Sequence, residues 1–508
     1  MPRPSTPDTE AAFAEELSDV RPDLSAPYAA ALPGARAAVL TRLWRALAYE
    51  PLPWIADRSD DGDRHGGGGG LTVRLRDGRR LHGPRPDPYA TDEYVTEVWL
   101  DGRPYERPER LVDALGVPHG ASFSAELGNS VASLALSRAD RAPGVPGPDA
   151  ASWEWEQRIV DGHPYHPNCR SRPGFSVAEQ FAYAPEHRPS VELGLVAADD
   201  ALVTGEWPKW LRDGERVLIP VHPWQTTHVL GAEVQEGFPA RPLMSLRTLA
   251  VPGGPHVKTA LSARLTSSVR DISVYSVRTA DTVSAFMEGL TARLDAPLHV
   301  TRTVGAASAG VADLAAVVRE SPDEYAGEGE SCVPVAALPL TRLPEKPAWL
   351  AEFTRLVLDV GLRLLELGVA LEAHGQNLLV VLDGAGDPVR LVYRDLADIR
   401  VGPARLARHG VPVPGLSGRI VTDDETALRR KLFGSLVGGA LGATAGSTAA
   451  LRDALETVAP DLPRTTDLPA LLSEPLPTKA LTLMRLSPGT PGDQWTLLPQ
   501  PLGGPVPS

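Results

Sequence analysis

The stretch FTRLVLDVGLRLLELGVALEAHGQNLLVVLDGAGDPVRLVYRD, residues 353–395, carries two periods in succession. Up to Leu367 the apolar residues Phe353, Leu356, Val357, Val360, Leu364 and Leu367 fall on one face at helical spacing, which predicts an amphipathic helix. Glu372-Ala-His-Gly-Gln-Asn377 then interrupts the pattern with an acid, an imidazole and two amides. Leu378 to Leu382 reads as a strand, Asp383 to Asp387 as a turn, and Val389 to Tyr393 as a returning strand that ends on Arg394-Asp395. A helix, a polar loop and a hairpin in one stretch point to a mixed α+β chain.

The rest of the chain extends that mixture. Its 508 residues suggest two or three folding units. Ala35 to Tyr49 and Ser122 to Arg138 have helical spacing, Asp57 to Gly70 reads as a flexible loop ending in five glycines, and Leu71 to Leu81 reads as a hairpin turning at Asp77-Gly78. Short β-like runs such as Val217 to Val221 follow up to about Leu340, and the tail from Ala427 is mostly helical. Pro/Gly-rich breaks at Ala142–Ala150 and Leu338–Pro347 divide the chain into 1–145, 146–340 and 341–508.

Composition narrows the function. A net charge of −14 and the lack of a basic tail exclude a whole-surface nucleic-acid binder, although a local pocket of Arg and Lys can still hold ATP. Only Cys169 and Cys332 are present, which excludes a disulfide framework or Cys-rich metal site and fits a reducing cytosol. The acidic N-terminus lacks an apolar signal core. The apolar run Leu432 to Gly446 falls short of the roughly 20 residues a membrane span needs, so a buried, close-packed helix is expected there.

Three constellations carry chemistry. Gly162 to Phe175 (GHPYHPNCRSRPGF) packs His163, His166, Arg170 and Arg172 among prolines that stiffen the loop. The arginines can hold phosphate oxygens; a turn whose histidines cap backbone groups is the equal alternative. Ser245-Leu-Arg-Thr248 offers a compact polyphosphate grip, and the stretch from Lys258 through Thr266, Ser267, Ser268 and Arg270 reads as a strand walling an anionic pocket, or else as a solvated strand face. Glu372, Asn377 and Asp395 are hard oxygen donors suited to Mg²⁺. His374 can contact a carboxylate or move a proton, against the alternative of a satisfied structural histidine. The order of Asn377 and Asp395 is similar to the metal-binding arrangement of protein kinases, but the kinase Gly-rich loop is missing.

Taken in order with Glu126-Leu-Gly-Asn-Ser130, Ile219-Pro-Val-His-Pro-Trp-Gln225 and Lys479-Ala-Leu-Thr-Leu-Met-Arg-Leu486, these motifs resemble the IucA/IucC family, the NRPS-independent siderophore (NIS) synthetases. The resemblance implies an α+β multi-domain, cupped-hand fold: an N-terminal thumb, a fingers domain holding ATP on its sheet, and a mostly helical palm. It implies a cytoplasmic, homodimeric ligase that adenylates citrate or a related di- or tricarboxylate. An amine, hydroxylamine or alcohol then takes the acyl group, with no nucleic-acid or membrane partner.

By motif, Ser245, Arg247 and Thr248 would grip the phosphates, Lys258 the α-phosphate region, and His166, Arg170 and Arg172 would close on the nucleotide. Thr266, Arg270 and His374 would contact the carboxylate substrate, with Arg270, His374 and Lys258 catalytic. Gln376 and Asn377 would lie on the nucleotide, and Glu372, Asn377 and Asp395 on Mg²⁺.

Arg170 stands where the family often has Lys, Pro173 where a branched apolar residue is usual, and the stretch after Leu486 is short, which would leave the acceptor side open. Other readings are a family member recruited to another natural-product amide or ester bond, and a kinase-like phosphotransferase releasing ADP. A ferric-siderophore reductive protein would be expected to carry a C-terminal cysteine cluster, which this tail lacks.

Overall fold

A computed structural model describes residues 8–61, 69–91, 94–265 and 268–503. The amphipathic helix forms as Pro347–Leu367. Pro347 sits in its first turn, where a missing N–H costs nothing, and Gly368 ends it at φ 99°. Phe353, Val357, Val360 and Leu364 are buried along it, each contributing about 1.5–3 kcal/mol. The hairpin follows as Leu378–Leu382 paired antiparallel with Pro388–Tyr393. It forms the middle of a four-stranded sheet whose outer strands, Leu298–Val300 and Ser331–Pro334, come from earlier in the chain.

At the N-terminal end, helices Thr9–Val20, Ser25–Tyr49, Pro108–Leu115 and Gly120–Ala139 share one core with a five-stranded antiparallel meander. The expected turn at Gly78 is present at φ 93°. The loop expected over Asp57 to Gly70 is corrected: Ile55–Asp61 is a strand paired with Gly70–Leu75. Its sequence, with three aspartates and an arginine, suits a sheet edge, where charged residues are tolerated and discourage further pairing. Residues 62–68, which include most of the glycine run, lie outside the described residues.

The central region is a nine-stranded sheet that buries His256–Thr259 in its interior, between Thr248–Ala250 and Ala315–Arg319. The single strand expected from Lys258 onward is also corrected. The chain breaks at Ala260, and Leu261–Leu265 leaves the large sheet to pair with Ser268–Arg270. Gln225 fixes this departure: its Oε1 accepts the Ser262 N–H at 2.7 Å and its Nε2 donates to Ser262 Oγ at 3.0 Å.

The apolar run at 432–446 is buried helix, as expected, but it loosens into a π-helical turn at Leu436–Leu441. A Cβ on Gly434 would come within 2.7 Å of Trp495, so glycine is needed for the close approach. Among the described residues no helix is long and apolar enough to cross a membrane. The tail after Leu486 folds back as Trp495–Leu498 against Leu476–Lys479. Cys169 and Cys332 are buried and unpaired.

Candidate functional site

Lys258 reaches from the large sheet to the hairpin. Its Nζ lies 2.7 Å from each carboxylate oxygen of Asp395. Asp395 follows the strand Pro388–Tyr393 and holds φ 71°, a left-handed conformation that costs a non-glycine residue energy. Burial lowers the Lys258 ammonium to about 8 against the pull of Asp395. Burial also works to raise Asp395, but Lys258, Arg319 and Arg247 outweigh it and hold this carboxyl well below the usual carboxylate range.

The Ser245–Thr248 loop is built around Leu246, also left-handed at φ 61°. Ser245 Oγ accepts the Thr248 N–H at 3.1 Å. Arg247 Nη1 donates to the carbonyls of Arg270 and Asp271 at 2.8 and 2.6 Å, so it fixes the backbone that carries Arg270. Burial lowers Arg247 to about 10, which leaves it charged at neutral pH. Among the described residues the Arg270 guanidinium has no hydrogen-bond or ion-pair partner. Burial lowers its pKa while Glu372 and Asp395 oppose, and its charge is felt in turn by His166, His374 and Arg247. Arg270 is thus the electrostatic hub of the cluster.

The loop after the long helix supplies the other side. Glu372 Oε1 lies 2.8 Å from Lys479 Nζ and 3.0 Å from Lys431 Nζ. Burial pushes Glu372 up, and the two lysines more than reverse it. His374 is lowered by burial against Glu372, so it is neutral at pH 7. Its Nδ1 accepts the Gln376 N–H at 3.3 Å, and Asn377 Nδ2 donates to the Glu372 carbonyl at 3.3 Å. The Gln376 carbonyl receives two bonds from Arg394.

His166 is 1% exposed. Its Nδ1 accepts the Asn168 N–H at 3.0 Å, so the neutral ring carries its proton on Nε2, and that donor has no partner among the described residues. Burial, with the charges of Arg485, Arg270 and Arg42, lowers this histidine to about 3. A buried N–H left unpaired beside the cationic hub is placed to meet a ligand oxygen.

Arg270 interacts with His166, Arg247, Glu372, His374 and Asp395; Lys258 joins this group through Asp395, Ser245 and Thr248 through the loop of Arg247, and Gln376 and Asn377 through His374. The structure does not bring Arg170 and Arg172 there. Arg172 donates to both oxygens of Glu186 at 2.7 and 3.1 Å. Arg170 donates to the carbonyls of Val160 and Ile159 and lies 3.4 Å from Glu186. All three side chains are at least nine-tenths buried, so these guanidiniums order the loop from behind. Thr266 lies outside the described residues. Among the described residues no group of three or more His, Cys, Asp or Glu is close enough to hold a metal ion. Glu372 and Asp395 are each engaged by lysine.

Sequence reasoning missed four cations. Arg319 stands opposite His256 in the sheet, is 5% exposed and has no hydrogen-bond partner among the described residues. Burial lowers it to about 10 against Asp395. Its only sequence signal was a charge closing an apolar strand. Lys431 opens the apolar run, and Lys479 and Arg485 sit in the quoted Lys479–Leu486 motif without an assigned role. Arg485 pairs with Glu126, whose Oε2 also takes Asn168 Nδ2 at 2.7 Å.

Residues 151–339 match the model of the IucA / IucC family, and residues 347–490 match that of the ferric iron reductase FhuF-like transporter. Neither cysteine lies in the second match. A Bacillus anthracis protein named citryl-spermidine/3,4-dihydroxybenzoyl-citryl-spermidine:spermidine ligase is 26% identical over 341 residues, 54% of this chain and 56% of the relative. The chain spans about half the length of the curated relatives it matches. Among solved structures, the petrobactin biosynthesis protein AsbB from Bacillus anthracis str. Sterne superposes with a TM-score of 0.77 at 19% identity, covering 98% of both chains. ATP-bound aerobactin synthetase IucA from Klebsiella pneumoniae gives 0.72 at 20% identity over 92% of this chain and 99% of that one. At such identities the shared property is the fold.

Proposed function

We propose that this chain, which belongs to the IucA/IucC family through residues 151–339, is an ATP-dependent NIS synthetase. A carboxylate, citrate or a related di- or tricarboxylate, attacks the α-phosphorus of ATP. The bond to pyrophosphate breaks and an acyl-adenylate forms. The lone pair of an amine, hydroxylamine or alcohol then attacks the acyl carbon, the bond to AMP breaks, and the nucleophile loses its proton. The relative named as a citryl-spermidine ligase supports a citryl donor with an amine acceptor, and the neighbour described as ATP-bound supports ATP.

The observation that carries this reading is the Arg270 guanidinium, without a partner among the described residues, whose charge acts on Glu372, Asp395, His166 and His374, while Arg319, likewise without a hydrogen-bond partner among the described residues, acts on the same Asp395. A site so arranged has binding capacity left for anionic oxygens. Lys258, Arg247, Ser245 and Thr248 would hold phosphates, and His166 would donate to one. Arg270, His374 and Thr266 would orient the acid. Glu372 Oε2 and the Asn377 side-chain oxygen accept no hydrogen bond among the described residues, and as hard oxygens they suit Mg²⁺. Mg²⁺ would be held there with Asp395 and would neutralise charge on the leaving pyrophosphate. Arg170 and Arg172 are reassigned from phosphate contacts to ordering the loop of His166.

The proposed enzyme works in the cytosol as a homodimer, with 1–145 as thumb, 146–340 as fingers and 341–508 as palm. Its buried free thiols agree with a reducing compartment. The deciding experiment is hydroxylamine trapping across citrate, succinate, α-ketoglutarate and other acids, with AMP and ADP resolved. Acid-dependent hydroxamate with AMP and pyrophosphate is the expected result. ADP without AMP would replace adenylation with phosphotransfer.

A further inference from the structure

Glu156 and Arg394 form an ion pair that is 0% and 2% exposed. Glu156 closes the short helix Ser152–Glu156. One of its oxygens lies 2.6 Å from Arg394 Nη2, and the other accepts the Met244 N–H at 2.8 Å. Arg394 in turn donates from Nε and Nη2 to the Gln376 carbonyl at 3.1 and 2.8 Å, and from its backbone N–H to the Asn377 carbonyl at 3.0 Å. Met244 directly precedes the Ser245–Thr248 loop, and Gln376 and Asn377 close the loop of His374. One carboxylate and one guanidinium therefore join the Ser245–Thr248 loop to the His374–Asn377 loop.

The backbone adds a second, independent observation. The left-handed residues Leu246 and Asp395 lie two residues after Met244 and one after Arg394. Strained conformations persist only where their surroundings over-determine them, and this pair anchors the chain beside each. A buried ion pair is by itself a poor source of stability, since apolar side chains of similar volume often serve as well. Its distinctive property here is its place: it joins the chain that holds the Met244 N–H to the chain that holds the Gln376 carbonyl.

We propose that Glu156 and Arg394 are positioning residues that set the spacing between the Ser245–Thr248 loop and the His374–Asn377 loop, so that a nucleotide gripped by the first is presented to the second. The proposal rests on the ATP-dependent reading of the site. Neither side chain touches the ligand; each acts through the backbone it holds.

Glu156→Gln is close to isosteric and can still accept the Met244 N–H, but it loses the charge that holds Arg394. Arg394→Lys keeps the charge and loses the fork on the Gln376 carbonyl. Each variant is expected to weaken ATP binding, measured by titration calorimetry, at least tenfold, and to raise KM for ATP more than it lowers kcat. A merely structural role would lower the active fraction and leave KM unchanged. The double variant is expected to be no weaker than the weaker single, because both changes break one connection. Hydrogen exchange should speed up in 243–248 and 374–378 together in either single variant.

Multiplicative losses in the double variant, unchanged KM for ATP, or faster exchange in one loop only would overturn the proposal. If Glu156→Gln fails to fold, Arg394→Lys alone decides by the same KM and exchange readouts. Wild-type protein that bound no ATP would defeat the functional reading instead, and the exchange result would still decide whether the pair couples the two loops.

Discussion

Lys258 Nζ sits 2.7 Å from both oxygens of Asp395, closing a bridge between the interior of the nine-stranded sheet and the end of the hairpin. The bridge lowers the cost of burying each charge, and it also holds an ammonium ready for a better anion. A phosphate entering the site competes with Asp395 for the same three N–H donors.

Replacing Lys258 by methionine keeps most of the apolar stem and removes the charge. Asp395 then faces Arg319 and Arg247 with no direct donor. Pyrophosphate release is expected to fall about 10²–10³-fold, the usual loss for one fixed transition-state donor. Urea unfolding should show a loss of about 1–3 kcal/mol for the acceptor left unsatisfied. Undiminished pyrophosphate release would remove Lys258 from the site.

Arg270→Ala separates chemistry from folding. Among the described residues the guanidinium has no hydrogen-bond or ion-pair partner, while its backbone carbonyl, which holds Arg247, survives the substitution. Carboxylate-dependent pyrophosphate release should drop by at least about 10²-fold, with the unfolding midpoint close to wild type. A variant with normal turnover would end the assignment of Arg270 as the hub.

The elements were largely legible because periodicity records burial. The hairpin after the long helix matched the reading to within one residue, and the helix ended at Leu367 as expected but began six residues earlier, at Pro347. Ile55–Asp61 escaped because an edge strand can be polar, and the break at Ala260 because two successive strands keep one alternation. The motifs drew attention to Lys258, Arg270 and His374, which the structure gathers with Glu372 and Asp395. Arg319 stayed hidden because a charge at a strand end is ordinary until its burial is seen. Arg170 and Arg172 were read as binders for the converse reason: sequence displays charge, but not the Glu186 that occupies it.

That occupation makes a contrary prediction for Arg172. Arg172 and Glu186 are both almost fully buried, and removing Arg172 takes two hydrogen bonds from Glu186, which keeps Arg170 at 3.4 Å and the Ser137 hydroxyl. Arg172→Ala should destabilise the fold by about 1–3 kcal/mol in urea. The fraction that remains folded should bind ATP with wild-type affinity, measured by titration calorimetry at low temperature. Weakened affinity without lost stability would return Arg172 to the ligand.

Buried histidines should make the fold acid-sensitive. Burial lowers His166 and His222 from an ordinary 6.5 to about 3, and His256 shifts the same way. Between those values the unfolded chain binds protons that the folded chain excludes, so stability falls as pH drops below about 6.5. At pH 5 each of the first two costs about 2 kcal/mol. Glu50 runs the other way: burial raises it to about 7, so acid relieves its cost, by about as much as one histidine loses. The net loss from pH 7 to pH 5 is then at least about 2 kcal/mol, read from urea midpoints. His222→Asn isolates one contributor. His222 caps a helical turn by accepting the Trp224 N–H at 3.1 Å, and asparagine can accept the same bond without titrating. The variant should lose less stability on acidification by about 2 kcal/mol; a pH slope identical to wild type would show that His222 is not the buried neutral imidazole its surroundings require.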